Sequence, residues 1–211
     1  MEDLSERAIR SNCPHCDPTS QAFKFPLKVT ENFYVVCDAH SIVEGHILII
    51  PKAHLSCIAI YPPNLFEEFT QLNDEVFYFL RGKYGSVSSF EHGIFGQTVY
   101  HSHIHYMPFN GKPTDIVPEG KHQITKIRDL NKLKNFFNRD GGYLYFSIDD
   151  NLWVVDVHLA APRFFRDRFA VALGRPERAN WKKMSVDRKL TKIGMEDNIR
   201  TQKQWTEYFK K

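Results

Sequence analysis

Three histidines alternate with other residues in a segment that has the pattern of a β-strand, and this arrangement constrains the chain more than any other feature. His101, His103 and His105 occupy positions i, i+2 and i+4. Successive side chains of a strand point to opposite faces, so a strand would place all three imidazoles on one face. The preceding Gly-Gln-Thr run at 96–98 adds backbone N–H groups and two polar side chains. Such a set suits metal binding, attack on phosphorus and proton transfer.

The composition fits one substantial domain, or one domain with an appendage. The chain has 211 residues, of which 42 % are hydrophobic, enough to build a core. No apolar run approaches the roughly 18 to 20 residues of a membrane-spanning helix, and the N-terminus lacks the pattern of a signal peptide. We therefore expect a cytoplasmic protein without membrane association. The formal net charge of +3 is mild and does not indicate a nucleic-acid-binding protein.

Two of the four cysteines form the motif Cys13-Pro14-His15-Cys16. In a chain expected to lie in a reducing compartment, this spacing is more typical of a metal or redox site than of a structural disulfide. A thioredoxin-like redox role requires a βαβ context. The short polar segment before Cys13 does not supply one, which favours a metal site.

The first half of the chain has the pattern of an antiparallel sheet packed against a helix. Aromatic and β-branched runs predict strands at 33–37 and 45–51. Apolar residues at helical spacing predict a helix over 63–84, entered at a proline pair and followed by a glycine. Another strand near 88–92 and the histidine strand follow. The order β-β-α-β-β predicts the α+β class, and we assign this domain to residues 1–110.

Residues 111–211 are predicted to be a C-terminal α/β extension. Its expected elements are a linker or loop at 111–124, a helix at 126–138, a hairpin at 143–157, a helix at 161–173 and a basic tail from Arg178. The hairpin and the second helix carry many large apolar side chains, which need a surface to bury against. We therefore expect residues 126–181 to dock on the first domain and to shape one wall of the site.

Two motifs together resemble the histidine triad (HIT) superfamily. One is the Gly-Gln-Thr run with its three alternating histidines, and the other is the segment Gly45-His46-Ile47-Leu48-Ile49-Ile50-Pro51-Lys52-Ala53-His54. The resemblance covers about residues 13–109. It implies a HIT-like fold and an enzyme that hydrolyses nucleotides or transfers nucleotidyl groups through a covalent nucleotidyl-histidine.

The resemblance implies a role for each matching residue. His103 would be the nucleophile, and His105, Gln97 and Thr98 would contact the α-phosphate or the leaving group. Asp38 would bind the ribose. Galactose-1-phosphate uridylyltransferases are similar but have glutamine in place of the third histidine. The retained His105 therefore favours hydrolases and adenylyl-type transferases.

The branch of the superfamily with an N-terminal Cys-x-x-Cys motif implies a structural zinc ion. Its ligands would be Cys13, Cys16, His54 and His101. Two thiolates and two imidazoles form a closed tetrahedral set, which leaves no coordination position for a catalytic water. This zinc would therefore support the fold and would not take part in the chemistry.

Two further segments bear on the resemblance. Phe90-Glu91-His92-Gly93 stands where many members have Asn-x-Gly, so an acid and an imidazole replace an amide. The segments at 162–166, 173–177 and 181–182 are similar to a longer HIT-like group that includes proteins related to splicing and RNA-lariat factors. Arg163, Arg166 or Lys182 would then face phosphates, or the segments would form a packing extension with solvated charges.

These observations predict a nucleotide hydrolase. It would act on a nucleoside phosphoester, phosphoanhydride or phosphoramidate through a nucleotidyl-His103 intermediate and release a nucleoside monophosphate. Two alternatives remain open: a nucleotidyltransferase or phosphorylase with the same intermediate, and a non-catalytic module that binds a nucleotide or an RNA end. The expected partners are the nucleotide and, from family likeness, a second copy in a homodimer. Only the basic tail supports a nucleic-acid partner.

Overall fold

A single antiparallel sheet of eight strands forms the centre of the computed structural model, which describes residues 10–210. The strands lie in the order β1-β2-β3-β5-β4-β7-β8-β6, and all neighbours are antiparallel. Their bounds are β1 Pro26–Val29, β2 Phe33–Cys37, β3 Ile47–Pro51, β4 Ser88–Gly93, β5 Ile104–Met107, β6 Ile124–Ile127, β7 Tyr143–Ile148 and β8 Asn151–Val155. The predicted α+β class is confirmed. Most of the polar lead-in expected at 1–12 lies outside the described residues.

Six α-helices accompany the sheet in the described part of the chain. They are α1 Pro63–Tyr84, α2 Pro113–Ile116, α3 Leu133–Asp140, α4 Phe164–Ala172, α5 Trp181–Val186 and α6 Arg188–Phe209. The long helix α1 has the predicted bounds. It begins with Pro63 at its first position, where a missing N–H costs nothing, and it ends at Gly85, which has a φ of 80°. Glycine adopts this left-handed conformation without a steric penalty.

The two faces of the sheet are covered by different helices. The buried side chains of α1 pack against alternate residues of β2, β3 and β5, among them Val35, Ile49 and Ile104. The opposite face of β4 and β7 is covered by α4 and α2, in a second core built around Phe146 and Phe165. Period-2 alternation sends successive strand residues to opposite faces, and on the face away from α1 the residues Val36, Leu48 and Ile50 of β2 and β3 form a third, smaller cluster. The sheet is therefore buried on both sides at its centre.

The first half of the chain and the extension share this sheet through strand β4. On one side β4 pairs with β5, and on the other it pairs with β7 along its whole length, from Ser88 opposite Ile148 to Gly93 opposite Tyr143. A Cβ added at Gly93 would lie 2.4 Å from the ring of Tyr143, so a glycine is required there. The predicted hairpin at 143–157 is confirmed as β7 and β8. Thus the expected docking takes the form of a continuous sheet.

Several predicted bounds were wrong. The histidine segment is regular strand only from Ile104, because the chain before it forms a loop in which the His101 amide bonds to Val99. The linker expected at 111–124 contains α2 and the buried Ile116 and Val117. The helix expected at 126–138 is replaced by the end of β6 and by α3, since residues 124–127 pair with β8. Helix α4 is shorter than the predicted helix at 161–173.

The basic tail was expected to form a solvated helix face, but one side of its helix α6 is buried. Helix α6 buries Asp197, Asn198, Thr201 and Trp205 against α1 and strands β1 and β2. No helix in the described range 10–210 is long and apolar enough to cross a bilayer.

Truncation after Gly111 should prevent stable folding of the remaining fragment. It removes the strand that pairs with all six residues of β4, and it exposes the apolar residues Phe90 and Met107, which pack in the second core. Loss of burial costs roughly 1.5 to 3 kcal/mol for each such side chain, and an unpaired strand edge promotes aggregation. Solubility, size-exclusion chromatography and circular dichroism of residues 1–111 test this. A monodisperse fragment with a cooperative unfolding transition would contradict it.

Candidate active site

A cavity of about 230 Å³ opens on the face of the sheet opposite α1, between β3, β5 and the extension. Its lining comes from several parts of the chain, among them the Cys-x-x-Cys loop, the loop after β2, strands β3 and β4, the histidine segment and the elements that follow β8. The lining residues that carry the argument below are His15, Asp38, His103, His105, Arg166 and Trp181. Residues from both halves of the chain therefore meet in one cavity, which supports the predicted contribution of the extension to its wall.

The histidine segment presents His103 and His105 to this cavity. His105 lies opposite Leu48 of β3, and both side chains point away from α1. The rings of His103 and His105 are 5.0 Å apart between centroids. His105 is further held by Phe90, whose ring stacks on it at 4.3 Å. The expectation that the alternating histidines share one face thus agrees with their placement, although only His105 belongs to the regular strand.

A hydrogen bond to the main chain sets the tautomer of His103. Its Nδ1 lies 2.6 Å from the carbonyl oxygen of His101, so Nδ1 carries the proton and donates it to this bond. In the neutral ring the lone pair is then on Nε2. Burial lowers the pKa of His103 below its ordinary value, which favours this neutral form. A neutral imidazole with a free Nε2 has the form needed for nucleophilic attack.

A second chain of hydrogen bonds sets the tautomer of His105. The backbone N–H of Ile42 donates to Nδ1 of His46 at 3.0 Å, so a neutral His46 carries its proton on Nε2. That Nε2 lies 2.8 Å from Nδ1 of His105 and donates to it. A neutral His105 therefore carries its proton on Nε2 and can donate it to a ligand in the cavity. Burial lowers the pKa of His46 to about 3, which keeps this donor chain neutral.

Asp38 forms a buried ion pair with Arg166 of α4. The guanidinium donates to Oδ2 of Asp38 at 2.8 Å and also to the carbonyl oxygens of Ala179 and His40. The other carboxylate oxygen of Asp38 accepts the N–H of His40 at 2.8 Å. Burial would raise the pKa of Asp38, but Arg166 and then the nearby His46 and His105 hold it well below its ordinary value.

Asp38, His46 and His105 are a second group of residues close enough together to chelate a cation. The ion pair with Arg166 argues against that use. The same Asp38 oxygen that would bind the cation already accepts a charged guanidinium. The two imidazoles are joined by the 2.8 Å hydrogen bond described above. A cation placed there would lie beside the positive charge of Arg166. We therefore interpret this trio as a hydrogen-bonding network.

Gln97 and Thr98 have different placements. Thr98 is exposed and lines the cavity. The side-chain amide of Gln97 instead donates to the carbonyl oxygen of Ser56 at 2.7 Å, and Gln97 is not among the lining residues. The loop is fixed against the extension at Gly96, where an added Cβ would lie 2.4 Å from the carbonyl oxygen of Ala161.

The four residues expected to bind a metal lie together beside this cavity. Their donor atoms, two thiol sulfurs and two Nδ1 atoms, all fall within 4.8 Å of one another. The sulfur-to-nitrogen distances are 3.5 Å for Cys13 to His101, 3.3 Å for Cys16 to His54 and 3.5 Å for Cys16 to His101. With tetrahedral angles and bonds of about 2.3 Å to sulfur and about 2.0 Å to nitrogen, this distance is about 3.5 Å. The donor set therefore fits a tetrahedral metal ion.

The surroundings of His101 agree with that use. Its Nε2 lies 2.8 Å from the carbonyl oxygen of Pro51, to which it donates, so Nδ1 is left deprotonated and faces the sulfur atoms. Metal-binding histidines commonly donate their second ring N–H to a carbonyl or carboxylate in this way. None of the four cysteines forms a disulfide, which argues against a structural disulfide at Cys13 and Cys16.

The segment Phe90-Glu91-His92-Gly93 belongs to β4, and its two polar side chains point to opposite faces. His92 lines the cavity, is buried, and accepts the N–H of Phe165 at the start of α4. Glu91 faces the other core, where Ile58, Ser102 and Tyr143 donate to it. Glu91 therefore does not contact the cavity. Through Ser102 it braces the loop between His101 and His103.

The resemblance assigns no role to His46 or His15, and it includes Arg166 only among three cations that would face phosphates. The motif around His46 carried a signal, because this histidine directly precedes the apolar strand β3, at a position where a core residue would be expected. The contact of Arg166 with Asp38 joins residues 128 positions apart, and no local pattern indicates such a pair. Arg163 lines the cavity but pairs with Asp167. Lys182 lies over the ring of Trp181.

Comparison with known proteins identifies one part of the chain. The HIT domain profile matches residues 24–111. The sequence of this segment, which is less than half of the chain, is therefore similar to that of HIT domains. It contains Asp38, His46 and the histidine segment, whereas Cys13, Cys16 and Arg166 lie outside the matched range. No curated protein matched.

Solved structures of HIT proteins are similar to part of the chain. A hypothetical histidine triad nucleotide-binding protein from Sulfolobus tokodaii is 20% identical, with 47% of this chain and 71% of that chain covered and a TM-score of 0.41. A HIT family member from Bacillus subtilis is 23% identical, with 48% and 76% covered and a TM-score of 0.42. A Zn-bound histidine triad family protein from Mycobacterium smegmatis is 22% identical, with 42% and 68% covered and a TM-score of 0.32.

Glu91 should make the stability of the protein depend on pH. Burial raises the pKa of Glu91 to about 7 in the folded state, whereas the unfolded value is about 4.3. The folded state thus binds the proton more tightly, so this contribution is full below the unfolded pKa and is lost as the pH rises through the folded pKa. Unfolding free energies measured by chemical denaturation should fall by about 3 kcal/mol between pH 4.5 and pH 8, relative to Glu91→Gln. Parallel curves for the two proteins would contradict this assignment.

Proposed function

We propose that this protein is a nucleotide hydrolase in which His103 attacks the α-phosphorus of a nucleoside phosphoester, phosphoanhydride or phosphoramidate. The observation that carries the proposal is the pair of fixed tautomers on the cavity wall. His103 holds its proton on Nδ1, towards the main chain, and His105 holds its proton on Nε2. One ring therefore offers a lone pair and its neighbour offers an N–H, which is the combination needed for attack on a phosphoryl group.

The first step forms a bond between Nε2 of His103 and phosphorus and breaks the bond from phosphorus to the leaving group. His105 donates its Nε2–H to a phosphoryl oxygen or to the leaving group, as the charge there increases. The exposed Thr98 hydroxyl can add a hydrogen bond. Such donors act where charge develops in the transition state, which is commonly the largest catalytic contribution. In the second step water attacks phosphorus, the electron pair of the broken P–N bond returns to Nε2 of His103, a proton of the water passes to solvent, and a nucleoside monophosphate is released.

Asp38 has a role in this scheme that differs from simple ribose binding. Its carboxylate is already occupied by Arg166 and by the His40 amide, although each oxygen retains a lone pair. Asp38 lies 3.7 Å from Nδ1 of His105 and 3.5 Å from Nε2 of His46. Its negative charge therefore supports any positive charge that develops on these rings, and a ribose hydroxyl would share it with Arg166.

We assign the tetrahedral donor set to zinc, which prefers two thiolates and two imidazoles. Cys13, Cys16, His54 and His101 would hold it. A bound zinc ion supplies a closed structural centre with no open position for substrate. Its effect on the reaction would be indirect, because His101 is a ligand and also provides the carbonyl oxygen that orients His103.

Two alternatives follow from the same site. If phosphate or another metabolite replaces water in the second step, the protein is a phosphorylase or nucleotidyltransferase. If the cavity only binds, the protein is a module for a nucleotide or an RNA end. The intact His103 and His105 argue against the second alternative.

A panel of dinucleoside polyphosphates and nucleoside phosphoramidates, analysed by mass spectrometry with and without added phosphate, distinguishes all three. A nucleotidyl adduct that yields a monophosphate in water alone supports hydrolysis.

His103→Ala should lower turnover by far more than tenfold and leave the protein folded. The side chain is only half-buried and contributes no large apolar surface, whereas covalent catalysis has no alternative route of equal barrier. Steady-state rates on the best substrate of the panel, together with thermal unfolding, test this. His158→Ala is the control, because this exposed histidine lies outside the cavity. More than about a tenth of the wild-type activity in His103→Ala would exclude the nucleophile assignment.

Protein purified without chelators should contain one zinc ion per chain. Cys13→Ser should lower both the zinc content and the midpoint of thermal unfolding, because binding energy at a structural zinc site contributes directly to folding. Elemental analysis and calorimetry measure the two quantities. Cys37→Ser is the matched control, since Cys37 is buried and lies outside the donor set. Full zinc content in a Cys13→Ser/Cys16→Ser double variant would show that the metal is bound elsewhere.

A further inference from the structure

His15 lies in the Cys-x-x-Cys loop and has no role in the reaction proposed above. It lies between Cys13 and Cys16 but is not one of the four donors. Its side chain lines the cavity together with His103 and His105. The residue is only 7 % exposed, so its imidazole is almost completely withdrawn from solvent.

The ring of His15 lies directly against the nucleophile candidate. The centroids of His15 and His103 are 4.8 Å apart, and the ring planes meet at 75°. A second edge contact joins His15 to His101 at 5.6 Å. A ligand bonded to His103 would therefore have the His15 imidazole as a neighbouring wall.

The polar edge of this ring lacks a partner. Among the described residues, Nδ1 of His15 is buried and has no hydrogen bond. Buried polar atoms in native proteins are nearly always paired, and an unpaired one is costly. The ring that carries this atom lines the cavity where the phosphoryl group would be bound. A substrate oxygen that reaches a ring N–H there would supply a hydrogen-bond partner.

The loop holds His15 in position before any substrate binds. The amide of Cys16 bonds to the carbonyl oxygen of Cys13, and the Ser20 hydroxyl bonds to that of Pro14. The flanking cysteines are fixed in turn by the two metal-binding imidazoles, if a metal is bound. A donor that is already oriented needs no reorganisation during the reaction, which increases its effect on the transition state.

We propose that His15 is a further catalytic residue, which donates a ring N–H to a non-bridging oxygen of the phosphoryl group attacked by His103. The role rests on the proposed function, because it requires a phosphoryl group at His103. Rotation of the ring by 180° about the Cβ–Cγ bond keeps its packing but exchanges the nitrogen and carbon atoms that face the cavity. The proposed donor is therefore a ring N–H, without a choice between Nδ1 and Nε2. No proton is transferred. The hydrogen bond stabilises negative charge as phosphorus passes through its five-coordinate state.

Two substitutions separate this role from mere packing against His103. His15→Phe keeps a flat ring of similar size but has no N–H, and His15→Gln keeps a donor but loses the ring. His122→Phe makes the same chemical change at an exposed histidine outside the cavity. The full-length zinc-loaded proteins are compared by rapid-quench measurement of the nucleotidyl-His103 adduct. Calorimetric titration with AMP and with adenosine gives a second readout, and zinc content is measured on every sample.

The proposal predicts that His15→Phe slows adduct formation and weakens AMP binding, each by about 10- to 100-fold, as expected for loss of one hydrogen bond to a charged group. Adenosine binding and zinc content should not change, His15→Gln should recover part of the rate, and His122→Phe should equal wild type. Wild-type rates in His15→Phe would overturn the proposal, as would equal losses in both His15 variants together with loss of zinc. If wild-type protein forms no adduct with any substrate of the panel, the proposed function fails instead. Weaker AMP binding in His15→Phe alone would then still support the phosphoryl contact.

Discussion

The pairing of β4 with β7 is the interaction on which the candidate site depends. It joins the two halves of the chain in one hydrogen-bonded sheet, and it fixes where α4 lies, because α4 packs on the face of β4 and β7. His92 of β4 then accepts the first free N–H of that helix from Phe165. With α4 held in this way, Arg166 reaches Asp38 across the cavity. The pairing of β4 with β7 thus determines where the Arg166–Asp38 ion pair forms in the cavity.

Several charges and dipoles balance one another in that site. Asp38 and Arg166 neutralise each other, so the cavity has no strong net charge from this pair. Burial then keeps the surrounding imidazoles neutral, because taking a charged ring out of water is costly. Neutral rings keep the tautomers that the backbone imposes through Ile42 and His101. Main-chain hydrogen bonds therefore give His103 a lone pair on Nε2 and His105 an N–H on Nε2, while the ion pair holds the cavity wall in place.

Local patterns predicted much of this molecule, and long-range contacts account for what they missed. The helical spacing of α1, the turn between β7 and β8, and the clusters of histidine and cysteine each depend on residues that are close in sequence. By contrast, β6 looked like the start of a helix, because its four residues become a strand only by pairing with β8. The contacts of Arg166 and His92 likewise depend on which distant elements meet. Periodicity gives the period of an element and does not give its partner.

The extension also limits which strand edges could pair with a second copy of the chain. Strand β4 has a neighbour on each side, so neither of its edges is free to pair with another subunit. The outer strands of the sheet are β1 and β6, at opposite ends of the order. Arg163, Arg166 and Trp181, from the C-terminal half of the chain, line the cavity together with His103. A homodimer, which stays a prediction, would therefore have to form away from β4. This wall of the cavity belongs to the same chain as His103, so substitutions at its residues in α4 and α5 should alter which ligands the cavity binds without a change in oligomeric state.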